Sequence, residues 1–193
     1  MNLEIFFQKY KFPFNYILID KLNKHYSKYN KLIEEKYFFE PGGIHGVNHA
    51  HRVLFLCTLL CSLCSMSISD YKLLALVAVY HDIGRTHNGS CTEHGQWSFL
   101  KVSNLNLIKN ESKFLINYLK YIMINHCVDD LIAYQELNNY CFPDKEHAFK
   151  LLKLFKDADA LDRVRTRDLD ISYLRYEESK KLIPIAEDLI LKF

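Results

Sequence analysis

Apolar residues recur along this chain with helical periods, and nowhere do they alternate for long enough to make a strand. The segment Leu73-Leu74-Ala75-Leu76-Val77-Ala78-Val79 is apolar on every side. That is the pattern of a helix buried all round, and it predicts a central helix ending at Tyr80-His81-Asp82-Ile83-Gly84-Arg85. Gly84 fits the left-handed position just past a helix end, so His81 and Asp82 belong on the last turn, inside the protein. Before it, Ile44 to Val53 opens a helix running to about Met66, and Ser67 to Asp70 makes the turn and cap between the two. Asn48 suits the N-cap, and His49, Arg52, Val53 and Leu56 then share one face while His51 points away. His45 falls one turn before His49 if that helix starts early, or on a loop beside it.

Downstream, Thr92 suits the cap of a helix with His94 in its first turn. A helix from about Glu111 carries Phe114, Leu115, Tyr118, Leu119 and Ile122 on one face, and His126 extends that face inward. Pro143 suits the first position of the next helix, with Asp144 and Glu146 in an acidic first turn. Its stripe of Ala148, Leu152 and Phe155 leads to Asp159, with Lys150, Lys153 and Asp157 on the opposite, solvated side. Ile171 to Phe193 reads as helical scaffold broken near Pro184. Residues 1–40 read as an aromatic-rich helical extension, interrupted at Pro13 and packed on the body through Leu18, Leu22, Tyr26, Tyr29 and Ile33. The breaker Pro41-Gly42-Gly43 ends it, and residues 41–193 form the body. The expected fold is all-α, a compact single-domain helical bundle.

Length and charge narrow the partners. At 193 residues the chain can bury its own core. A formal net charge of +2 gives no reason to expect double-stranded nucleic acid or a membrane as partner. The start, Met1 to Lys9, has an early acid and no small-residue cleavage site, and the run Val53 to Cys64 is too short to span a bilayer. A cytoplasmic protein is expected, with its six cysteines as reduced thiols. Cys57, Cys61 and Cys64 follow helical spacing and read as small core residues. His25, His51 and His87 read as surface.

The chemistry lies in the inward or helix-terminal set His49, His81, Asp82, His94, His126 and Asp159, drawn from five helices. Buried ionisable groups need a partner. A mixed imidazole and carboxylate set suits a catalytic divalent cation rather than a closed thiolate site. Four such ligands serve one metal, and six serve two bridged by Asp82.

The order His49-x-x-Arg52-Val53, then His81-Asp82-Ile83-Gly84, then Asp157-Ala158-Asp159-Ala160-Leu161 resembles the HD-domain superfamily of metal-dependent phosphohydrolases, over about residues 44–165. The resemblance implies a bundle of the HD-domain type. It implies His49, His81, Asp82 and Asp159 as ligands of a divalent transition metal (Mn, Fe, Co, Ni or Zn), one or two per chain. His94 and His126 match the additional histidines that hold a second metal or position a phosphate. Neither lies in a paired His-His motif.

Basic groups near such a site stabilise phosphoryl charge, and Arg52 and Arg85 adjoin ligand residues. Arg163, Arg165 and Arg167 either add to a phosphate pocket, with His45 at its rim, or pair with Asp162, Asp168 and Asp170. Glu93 reads as a general acid or base beside His94, or as a solvated first-turn acid. The expected activity is hydrolysis of a phosphoester of a nucleotide or another phosphorylated small molecule, one metal favouring monoesters and two favouring diesters. Two alternatives stand beside it. One is a non-catalytic HD module that binds a nucleotide as a sensor. The other is a phosphodiesterase removing a phosphoribosyl-type modification from protein, a class sharing the His45-Gly-x-x-His49-x-x-Arg52 opening. That class carries an acidic residue shortly after the His-Asp pair, where this loop offers His87. Aromatics of residues 1–40 cover either a homodimer interface or the domain's own core.

Overall fold

Leu73 to Tyr80 sit at the centre of the molecule, each at most 4% exposed, as a segment without a polar side demands. The structure, a computed structural model, describes residues 6, 9, 10, 12 and 14–193. Among them are nine α-helices and no strand. In chain order these are α1 (Tyr16–Asn30), α2 (Val47–Leu63), α3 (Ile68–Tyr80), α4 (His94–Asn104), α5 (Lys113–Asn125), α6 (Asp130–Glu136), α7 (Lys145–Leu161), α8 (Glu177–Lys180) and α9 (Ile183–Ile190). The fold is all-α, as expected.

Helices α2 and α3 form the central hairpin, and α7 packs across both. The sequence between the hairpin's helices stops one and starts the next. Ser67 accepts from the Asp70 amide and the Asp70 carboxylate reaches back to the Ser67 amide, a reciprocal capping box. Within α2, Val53 to Leu56, Leu59 and Leu60 are wholly buried. Each such side chain contributes about 1.5–3 kcal/mol of transfer free energy, so this hairpin is the rigid part of the fold. Helix α5 packs on α3 and α7, α4 packs on α5, and α9 covers the turn after α7. Helix α1 docks on α2 and α3, with Leu22, Tyr26 and Tyr29 in the common core. The break expected at Pro13 lies outside the described residues. No helix among the described residues is long and apolar enough to cross a membrane.

Glycines set how closely the helices approach, and for a different reason than a left-handed turn. No described glycine has positive φ. A Cβ on Gly84 would lie 2.1 Å from the Ser98 amide nitrogen, so Gly84 lets the end of α3 touch α4. A Cβ on Gly95 would lie 2.0 Å from the Met123 carbonyl oxygen, which brings the start of α4 against the end of α5. Gly46, packed on the Pro41 carbonyl, is the N-cap of α2. It displaces Asn48 from that role, because Val47 donates its amide to Pro41 and starts the helix there.

Other boundaries move for local reasons. Glu93 rather than Thr92 precedes α4. Asp144 caps α7, accepting from the His147 amide at 2.9 Å, which leaves Pro143 outside the helix. The stretch from Ile171 is not one helix: a 3-10 turn at Ile171–Tyr173, the short α8 and α9 divide it, with Pro184 in the first turn of α9. Helix α6 has too few residues for a periodic stripe and carries no sequence signal.

Two histidines expected at the surface are not there. His51 is half-buried, bonded to Asn30 at 2.6 Å and stacked on Phe193. His25 lies with its ring centroid 4.8 Å from Tyr29 and 5.3 Å from Tyr71, its Nε2 buried without a partner. Burial pushes its pKa down from 6.5 to about 4, against a smaller opposing effect of the Tyr71 backbone. Between those values the unfolded chain binds the extra proton, so stability climbs with pH. The contribution is complete above 6.5 and is lost as pH falls towards about 4. His25→Phe keeps the ring contacts and removes the proton, so its urea stability falls less than the wild-type's between about pH 7 and pH 5. Equal losses in both proteins would overturn this account.

Candidate metal centre

The ends of α3 and α5, the start of α4, the first turn of α2 and the last turn of α7 converge on one point. His49 Nε2 lies 3.0 Å from His81 Nε2 and 3.2 Å from Asp159 Oδ1. Asp82 Oδ2 is 3.5 Å from His49 Nε2 and 3.6 Å from His81 Nε2, and Asp159 Oδ1 is also 3.6 Å from His81 Nε2. On the other side of the same carboxylate, Asp82 Oδ1 is 3.1 Å from His94 Nε2, which is 2.8 Å from His126 Nε2. Asp82 therefore stands between two imidazole pairs, one facing each oxygen. All six residues expected to converge do so.

The far side of each ring is tied down. His81 Nδ1 donates to Ala78 O at 3.1 Å, His94 Nδ1 to Cys91 O at 2.7 Å and His126 Nδ1 to Met123 O at 2.7 Å. Each acceptor is the carbonyl three residues earlier. His81 and His126 are the C-caps of α3 and α5, where carbonyls lack helical partners, so the ring takes an acceptor the helix leaves free. His49 Nδ1 instead donates to Asp162 Oδ2 at 2.7 Å. These bonds place a proton on each Nδ1 and aim every Nε2 inward, that of His94 also meeting the Arg85 guanidinium. Two imidazole Nε2 atoms at 3.0 Å or less need a proton or a metal cation between them.

Electrostatics agree. Burial alone would lower the His49 pKa, but Asp159, Asp162 and Asp82 outweigh it and raise it to about 10. Burial opposes ionisation of Asp82 too, yet His81, His45, His49 and His94 hold its pKa well below the carboxylate range. Burial and the neighbouring His94 and His81 lower His126 to about 3. The centre thus calls for positive charge. Metal–nitrogen and metal–oxygen bonds of about 2.0–2.2 Å set neighbouring ligands roughly 2.8–3.6 Å apart between octahedral and tetrahedral angles, which spans the separations above. These buried His and Asp groups can hold a metal ion.

Supporting residues separate into those at the opening and those behind it. Arg85 donates from Nε to Asp82 Oδ1 at 2.7 Å, and its guanidinium also meets His94 Nε2 and Gly89 O. His45, on a loop before α2, places Nδ1 2.8 Å from Asp82 Oδ2. Arg52 is not at the opening. It is buried, and its guanidinium grips Asp162, so it braces the carboxylate that orients His49. Arg165 donates to the same carboxylate at 2.9 Å. Glu93 is exposed and does not line the cleft beside the centre. Arg163 lines that cleft and pairs with Asp168, while Arg167 is exposed outside it. His87 is exposed, as expected.

Asp157 departs most from its expected place. It is wholly buried, and receives the Arg175 and Tyr176 amides at 2.9 and 3.0 Å and the Arg175 guanidinium. The chain after α7 folds back over the helix face that periodicity marks as solvated. Arg175 also grips Asp130, which with Val128 O receives Lys156 Nζ. This network straps the segment after His126 onto α7 at Lys156 and Asp157. The side chain of Asp159 is 30% exposed while those of Asp82, His49 and His81 are at most 3%, so the centre opens on the Asp159 side. There a cleft of about 970 Å³ is lined by Arg85, Lys156, Arg163, Arg165 and Arg175, among others.

No family model, curated protein or solved structure matches this chain.

Asp162→Asn removes the acceptor charge that holds His49 and leaves the buried Arg52 and the half-buried Arg165 short of a counter-charge. Loss of such an outer partner lowers metal affinity by about 10–100-fold. Competition with a chromogenic chelator measures it, and unchanged affinity would show that Asp162 serves the fold alone.

Proposed function

We propose that this chain is a metal-dependent phosphohydrolase of the HD-domain type, acting on a phosphoester of a nucleotide or similarly sized phosphorylated molecule. The observation that carries the reading is the set of four Nε2 atoms, each fixed by a bond on its Nδ1 side, gathered around the two oxygens of Asp82. His49, His81, Asp82 Oδ2 and Asp159 would hold one divalent cation, and Asp82 Oδ1, His94 and His126 a second. Cations so placed supply Lewis acidity, which lowers the pKa of water and neutralises phosphoryl charge.

The chain's own groups support the same reading. Arg85 touches Asp82 and His94 and lines the cleft, so its guanidinium faces a phosphoryl oxygen entering from the Asp159 side. Arg163 and Arg165 add positive charge along the wall. His45 donates from Nδ1 to Asp82 Oδ2 and helps to orient that carboxylate. Tyr173, 69% exposed on the cleft wall, offers a face on which a base can stack. The cleft volume lies at the upper end of the roughly 300–1,000 Å³ usual for ligand sites, which favours a nucleotide-sized substrate over inorganic phosphate.

Elemental analysis of protein purified without chelator, followed by turnover of chromogenic phosphomonoesters and phosphodiesters, tests the reading. About two ions per chain and metal-dependent diester hydrolysis are expected. Asp82→Asn, folded by circular dichroism, loses several kcal/mol of transition-state stabilisation, a rate loss of about 10³-fold or more. Failure to bind any divalent cation overturns the proposal. Metal and nucleotide binding without turnover of any ester replaces it with a nucleotide sensor.

A further inference from the structure

Cys127 follows His126 at the end of α5, and its thiol does not face the core. Its Sγ donates to Thr92 O at 3.0 Å, across the loop that leads into His94. Ligand atoms of His94, His126 and Cys127 all lie within 4.8 Å of one another. Among the described residues, this is the one such group that includes a cysteine. Cys91, also on the cleft wall, has its sulfur turned to the Glu93 amide and joins no such group.

We propose that the Cys127 thiolate is a protein ligand of the second cation, beside His94, His126 and Asp82 Oδ1, and that this half of the centre therefore selects a soft ion such as zinc, cobalt or iron(II). The inference rests on the metal reading above. On binding, the Sγ–H bond breaks, its proton passes to water and the sulfur electron pair goes to the cation. Thr92 O accepts the S–H proton at present. Once that proton is gone the oxygen repels the sulfur, which turns towards the two Nε2 acceptors. Burial pushes the Cys127 thiol pKa up, and the amides of Gly95 and of Cys127 itself, which face the sulfur, oppose that only in part. Gly95 is also the residue whose missing side chain lets the ends of α4 and α5 meet. One close approach thus sets all three donors.

The two halves then differ in chemistry. His49, His81, Asp82 and Asp159 offer nitrogen and oxygen only, which magnesium- and manganese-like ions tolerate. A thiolate excludes such hard ions and favours soft ones.

Cobalt(II) titration of the full chain, stripped of metal, tests the proposal. The expected result is about two ions per chain, with a near-ultraviolet thiolate-to-cobalt charge-transfer band. Cys127→Ser loses the band and binds the second ion about 10-fold or more weakly, while Cys91→Ser keeps the band. X-ray absorption on the unmutated zinc-loaded protein gives an answer that does not depend on the variant folding. It should show sulfur at about 2.3 Å from zinc. Two ions bound with no charge-transfer band, or no zinc–sulfur distance, overturns the role of Cys127 and leaves the metal reading standing. No ion bound overturns both.

Discussion

The structure depends on one electrostatic demand: positive charge beside Asp82. Two carboxylates and four imidazole Nε2 atoms are held facing one another in a largely buried space. A buried charge left uncompensated costs several kcal/mol, as much as two or three fully buried leucines contribute. No hydrophobic packing near the centre removes that cost. Arg85 on Asp82 Oδ1 and protonation of His49 meet part of it, and a bound cation would meet the rest. The fold around the centre serves to keep the acceptors from turning away: Asp162 behind His49, a helix-end carbonyl behind each of His81 and His126, and the Lys156–Asp130–Arg175 strap behind the segment that follows His126.

Much of this was legible in the chain because helical periodicity decides direction. A residue three or four positions along an apolar stripe points where the stripe points, and this placed His49, His126 and Asp159 inward. The all-round apolar segment before His81 did the same for the His-Asp pair. Periodicity fails where a later part of the chain covers a polar face. Asp157 looked solvated because nothing local announces that Arg175 and Tyr176 will fold over it. Asp162 carried a readable sign, being three residues beyond Asp159, yet its role depends on Arg52 from another helix. Gly84 was correctly marked as special and for the wrong reason, since the close approach of α4 leaves no trace in local spacing.

The tautomers were also within reach of simple rules. A histidine that caps a helix can bond back to a carbonyl of the last turn, as His81 does to Ala78 and His126 to Met123. Arg52 shows the opposite case. Its place beside His49 in sequence suggested contact with substrate, but burial and the nearness of Asp162 turn it away from the cleft. Adjacency along the chain is a poor guide to which shell of a site an arginine occupies.

The meeting of α4 and α5 at Gly95 has a consequence for how the centre is built. His49, His81 and Asp159 ride on the α2–α3–α7 core, whose opening is as rare as unfolding itself. His126 ends α5, whose Leu119, Tyr121, Ile122 and Met123 are wholly buried in that core, whereas His94 starts α4, which is held mainly to α5 across the Gly95 contact. Asp82 therefore marks a border between two levels of rigidity.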